Sequence, residues 1–162
     1  MGHSINAVVG PIETLANIAA TAGCPTPTEL PFGLAIAPLG HEQIDKLTGL
    51  EISEIANGFK YLSPALERGL IAAADGGAFA YIETEYFGGI GSQAAAIFSD
   101  LLPPIRIADT EADAPAQPDS PINLALRSLE VSASPGQDEF DTVGLHRFRD
   151  LEALGLDEWG DD

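Results

Sequence analysis

Two hydrophobic periods alternate along this chain, and their alternation predicts its elements. Ile5–Val9 is a short β-branched run that reads as a buried first strand. Gly10-Pro11 then opens a helix, with Glu13 in its first turn, where the helix dipole favours an acid. Ile12, Leu15, Ala19 and Ala22 form its predicted apolar stripe, and Gly23 ends it. Cys24-Pro25-Thr26-Pro27 is a rigid connector, Leu34–Ala37 a second strand, and His41–Leu47 a short polar helix stopped near Gly49.

A second strand-helix-strand pattern follows. Phe59–Leu62 is its apolar opening, and Ser63-Pro64 starts a helix with the serine as N-cap. Leu66, Leu70 and Ala73 or Ala74 face inward, and Gly76-Gly77 closes the helix. Phe79–Tyr86 is the strongest strand signal. The turn Gly88-Gly89-Ile90-Gly91 leads from it into a hairpin partner at Ala94–Phe98, with Ile105–Ile107 as an edge strand. Ser120-Pro121 starts a last helix, whose Ile122, Ala125, Leu126 and Leu129 keep helical spacing.

These elements predict one domain over residues 1–162 of α/β or α+β class, a mixed sheet of about five strands covered by three to four helices. Asp109–Asp119 is rich in Ala, Pro and acids with nothing large to bury, so a mobile acidic loop is expected there. Residues 150–162 form an acidic C-terminal tail.

Charge changes the picture most. Twenty-five acids face seven Lys and Arg, a formal net charge of -18. Residues 1–99 carry ten acids and three bases; residues 100–162 carry fifteen and four. Such a field repels nucleic acid and anionic membranes and attracts basic proteins. No apolar run reaches the roughly 18–20 residues of a membrane helix. The start of the chain lacks a secretory pattern, and Cys24 is the only cysteine. A cytoplasmic protein is the expectation.

Catalytic signatures are sparse. His3, His41 and His146 are scattered and fit no zinc spacing. Gly88-Gly89-Ile90-Gly91-Ser92 has no following lysine and sits beside the acidic strand, so a hairpin needing glycine at positive φ explains it better than a phosphate loop. Ser92 lacks the second glycine of a nucleophile elbow, and no basic neighbour in sequence activates Cys24. No catalytic residue, metal or cofactor is therefore assigned.

Binding residues are easier to nominate. Strand alternation places Tyr81, Glu83 and Glu85 on one face, as a solvated surface, a contact for basic side chains, or an acid/base pair. Tyr86 adjoins them. Asp138, Glu139 and Asp141 surround Phe140, and Asp157 and Glu158 precede Trp159, so each cluster sets an aromatic among acids. Such clusters suit a basic protein partner.

The run Glu83-Thr84-Glu85-Tyr86-Phe87-Gly88-Gly89-Ile90-Gly91-Ser92-Gln93-Ala94-Ala95-Ala96 resembles small acidic uncharacterised bacterial proteins, as do Asp138–Asp141 and the Asp157-Glu158-Trp159 ending. In size and acidity the chain also resembles the immunity proteins of bacterial toxin systems. That resemblance implies an inhibitor of a basic cognate toxin domain, acting as a monomer or small homo-oligomer. A small enzyme using Glu83 or Glu85 as general acid/base, and a structural assembly subunit, are the alternatives.

Overall fold

A computed structural model describes residues 3–87, 90–99, 103–112 and 120–156. Its centre is a six-stranded sheet. The strands are β1 (His3–Pro11), β2 (Thr28–Leu30), β3 (Leu34–Pro38), β4 (Phe79–Phe87), β5 (Ile90–Phe98) and β6 (Ile105–Ala112). They lie in the order β2-β3-β1-β4-β5-β6. Every pairing is antiparallel, so the fold is α+β. Among the described residues the sheet thus has one strand more than expected and no parallel pair. The extra strand is β2, three residues between proline-rich segments, too short to show a period.

Both faces of the sheet are covered. Alternation along β1 sends Val8 to one side and Ala7 and Val9 to the other. The first side packs under α1 (Ile12–Ala22), α2 (His41–Thr48) and α3 (Pro64–Ala74), with Leu15, Ile18, Leu66 and Leu70 in its core. Phe79 and Phe98 stack there, ring centroids 4.7 Å apart. The second side carries α4 (Pro121–Ser128), α5 (Glu139–Thr142) and two single 3-10 turns, with Ile122, Leu126, Phe140 and Leu145 packed on Ile5, Ile36 and Ile82. No helix among the described residues is long and apolar enough to cross a membrane.

Local signals explain the helix ends. The Ser63 hydroxyl accepts from the Leu66 N–H at 3.1 Å, and Pro64 occupies the first turn of α3. Gly23 and Gly49 follow α1 and α2 in the left-handed region. The α1 stripe differs from expectation: Ile12 is exposed and Ile18 is buried. Phe59–Leu62 is no strand. It belongs to the irregular segment 49–63 that joins α2 to α3. The first four residues of the acidic loop expected over 109–119 are strand instead, because β6 runs on to Ala112, with Asp109 opposite Gln93 and Ala112 opposite Gly91. Gly88, Gly89 and residues 113–119 lie outside the described residues.

The N-terminal strand is tied to the second layer through a buried histidine. The Thr84 hydroxyl donates to His3 Nδ1 at 2.8 Å and accepts from the Ile5 N–H at 3.0 Å. His3 Nε2–H donates to the Leu145 carbonyl at 3.0 Å. Burial, with Arg149 and His146 nearby, lowers the His3 pKa below 6.5 despite the raising effects of the Leu145 bond and Asp150. The unfolded chain then takes up this proton first as pH falls. Stability is expected to decline as pH drops below 6.5 and to stop declining on this account once the folded His3 titrates. Urea unfolding of His3→Gln should lack that part of the decline; an unchanged pH profile would contradict the assignment.

Candidate functional site

The segment between α2 and α3 and the sheet end beneath it bring together a group of polar and titratable side chains. Three neighbouring strands supply the floor. Ser4, Glu85 and Ser92 stand opposite one another across β1, β4 and β5, and Asn6, Glu83 and Ala94 form the next row inward. These residues share the face that holds Val8 and Tyr81, where the cover is residues 57–61. Together with His41, Lys60 and Tyr61 they line a small polar cleft.

Glu83 is the fastening point. Its carboxylate accepts the backbone N–H of Lys60 at 2.7 Å and of Tyr61 at 2.9 Å, and the Tyr81 hydroxyl at 2.6 Å. Glu83 is 6% exposed and Tyr81 0%. Burial holds the Tyr81 phenol far above its ordinary pKa of 10.0, and the Glu83 charge raises it further, so the phenol stays a donor. Phe59 lies against the Tyr81 ring at 6.3 Å. A carboxylate serving three internal donors has little lone-pair capacity left for an incoming substrate. This geometry suits a structural clamp better than a general base.

Glu85, two residues on, reaches solvent and pairs with the Lys60 ammonium at the cleft rim. The ring of His41 at the start of α2 sits 5.9 Å from that of Tyr61. The Asn6 amide donates to the Leu39 carbonyl at 2.9 Å, fixing the entry to α2 from below. Cleft residues Ser4, Asn6, His41, Lys60 and Tyr61 were missed in the sequence, because they come from three separate stretches, β1, the start of α2 and the segment 49–63, and none belongs to a local motif.

The other nominated residues are dispersed. Tyr86 is buried on the opposite face, where its hydroxyl accepts from the Gln93 amide at 3.1 Å; Gln93 in turn accepts the Ile122 N–H at 2.9 Å. Asp138 is the N-cap of α5: it accepts from the Asp141 N–H and from the Asn123 amide, each at 2.9 Å. Asn123 returns the tie by accepting the Phe140 N–H at 2.7 Å. Glu139 is buried and pairs with Arg127 at 2.9 Å. Asp141 is half-buried, 3.6 Å from His146, and burial together with Asp138 raises its pKa despite His146. So Tyr81, Glu83, Tyr86, Asp138 and Glu139 serve internal bonds, while Glu85 and Asp141 reach the surface. Asp138, an acid two residues before the buried Phe140 and three before Asp141, whose N–H it accepts, stands where an N-cap is expected, and that was the available signal for this role. Asp157, Glu158 and Trp159 lie outside the described residues.

The remaining candidates are quiet. The Cys24 thiol donates to the Pro38 carbonyl at 3.3 Å, and burial pushes its pKa up to about 11 against the attraction of Lys46. Gly91 needs to be glycine for space, since a Cβ there would lie 1.9 Å from the Glu85 carbonyl oxygen. Positive φ is not the reason at that position. Among the described residues no three His, Cys, Asp or Glu side chains come together as a metal site. No family model matches this chain, and neither a curated protein nor a solved structure matches it.

Proposed function

We propose that this chain is an acidic protein-binding inhibitor, in the manner of a bacterial immunity protein, acting in the cytoplasm on a basic cognate toxin domain. The observation that carries the reading is the charge of -18 and where its acids stand. Most acids whose side chains are described are exposed, among them Glu13, Glu42, Asp45, Glu51, Glu54 and Asp150. Four of the bases are already paired, Lys60 with Glu85, Arg68 with Glu51, Arg106 with Glu67 and Arg127 with Glu139. The acids left over project a field that speeds encounter with a basic partner and discourages nucleic acid.

The irregular segment 49–63 supports the same reading. It is fastened at Glu83 and through the Ala56 N–H to the Leu62 carbonyl at 2.7 Å. Long connections that are tied down yet irregular commonly serve recognition. The enzyme alternative draws no support from Glu83, whose carboxylate is committed to three internal donors.

The test is binding to a basic protein encoded beside this one. A stoichiometric complex that abolishes that protein's activity is the expected result. Absence of any complex, or a complex that leaves the activity intact, would reject inhibition.

A further inference from the structure

We propose that Leu50, Ile52 and Ile55 are the apolar anchor onto which the basic partner docks, through a segment that sets aliphatic side chains between lysines or arginines. The proposal rests on the preceding reading that the partner is a basic protein, and it says where that protein is held.

Three large aliphatic side chains within six residues stand in solvent: Leu50 is 73% exposed, Ile52 96% and Ile55 43%. Single exposed apolar residues are ordinary, but a contiguous group of them marks a contact surface. The other exposed large apolar side chains, such as Ile12, Phe32 and Ile105, are separated along the chain and lie on different elements.

The segment is held in place while it displays these side chains. The Leu50 N–H donates to the Asp45 carbonyl at 3.3 Å and to the Thr48 hydroxyl at 3.2 Å. The Glu51 N–H donates to the Thr48 carbonyl at 3.2 Å, and Glu51 pairs with Arg68 on α3. The Ser53 hydroxyl accepts the Ala65 N–H at 3.2 Å. Leu50 itself has φ of 65°, a left-handed conformation that costs a leucine strain a glycine or asparagine would avoid. A strained leucine that points into water contributes nothing to the core. Docking gives it a use.

Charge selects the occupant. Exposed Glu42 and Asp45 on α2, with Glu51 and Glu54 in the segment, make the rim acidic; of the bases near it in sequence, Lys60 is paired with Glu85 and Arg68 with Glu51, and Lys46 lies on α2. An anionic membrane or an acidic protein would be repelled from such a rim, and a second copy would bring the same acids against it. A basic segment with aliphatic side chains satisfies both features: the aliphatics bury Leu50, Ile52 and Ile55, and the cations meet the rim.

The experiment uses the whole chain and three synthetic peptides: alternating leucine and lysine, alternating serine and lysine, and alternating leucine and glutamate. Amide shifts should move over residues 49–56 and α2 with the leucine-lysine peptide. Leu50→Asn, Ile52→Ser and Ile55→Ser together should weaken that peptide by about tenfold or more and leave the serine-lysine peptide unchanged. These side chains are exposed, so circular dichroism should confirm an unchanged fold. If the triple variant binds the leucine-lysine peptide as tightly as the parent, the anchor is wrong and the basic-partner reading stands. If neither lysine peptide binds better than the leucine-glutamate one, both fail. A parent that dimerises where the variant is monomeric would replace the basic partner at this patch with a second copy.

Discussion

Replacing Glu83 with alanine is expected to cost about 3 kcal/mol of stability, because it leaves three donors without their acceptor. Two of them are the backbone N–H groups of Lys60 and Tyr61, and the third is the buried Tyr81 hydroxyl. Amide exchange at Lys60 and Tyr61 should accelerate more than exchange in the core of β4, since the clamp is lost first where it acts. Tyr81→Phe removes one of the three bonds and should cost about 1 kcal/mol. Glu85→Ala breaks only an exposed pair with Lys60 and should stay within about 0.5 kcal/mol. Urea unfolding of the three variants checks the order. A Glu83→Ala protein as stable as the parent would show that the carboxylate is not a clamp, and would return Glu83 to the acid/base alternative.

The second large effect is expected at Gly69, in the middle of α3. Alanine is the better helix former there by about 1 kcal/mol. Yet a Cβ at Gly69 would lie 2.1 Å from the carbonyl oxygen of Leu47 and 2.7 Å from its carbonyl carbon. The backbones of α2 and α3 meet at this point, and backbone cannot rotate away as a side chain can. The helices must separate, which should outweigh the gain in propensity and leave a net loss of about 2 kcal/mol. The same separation spreads the two ends of the 49–63 segment. Gly69→Ala should therefore weaken partner binding as well as lower the melting temperature. A variant more stable than the parent would mean that the close approach is not there.

How much of this was legible in the sequence depended on how local each cause was. Ser63-Pro64, Gly23 and Gly49 act on their own helix ends, and their positions were readable. The β4–β5 hairpin was readable from two apolar runs around glycines. In α1 the abundance of alanine left the stripe ambiguous, so Ile12 and Ile18 exchanged roles. The β6 extension over Asp109–Ala112 lacks apolar alternation and reads as loop, although an edge strand tolerates such a sequence.

The site was half legible for the same reason. Alternation correctly set Tyr81, Glu83 and Glu85 on one face. It could not show that residues 57–61 come from elsewhere in the chain to cover the first two and leave the third at a rim. The acids around Phe140 looked like a docking cluster, yet Asp138 caps α5 and Glu139 holds Arg127. Acid content alone does not separate these roles; burial and donors do.

The account stands on attraction between this chain's acids and a basic protein. The direct measurement is the association rate with a basic protein encoded by a neighbouring gene, taken across a salt series by surface plasmon resonance. Screening shortens the reach of the field to about 8 Å at physiological ionic strength. The rate should fall by about tenfold or more from low to high salt. Neutralising Glu42, Asp45, Glu51 and Glu54 together should lower it at low salt and flatten the series. An association rate indifferent to salt and to those four acids would contradict the account.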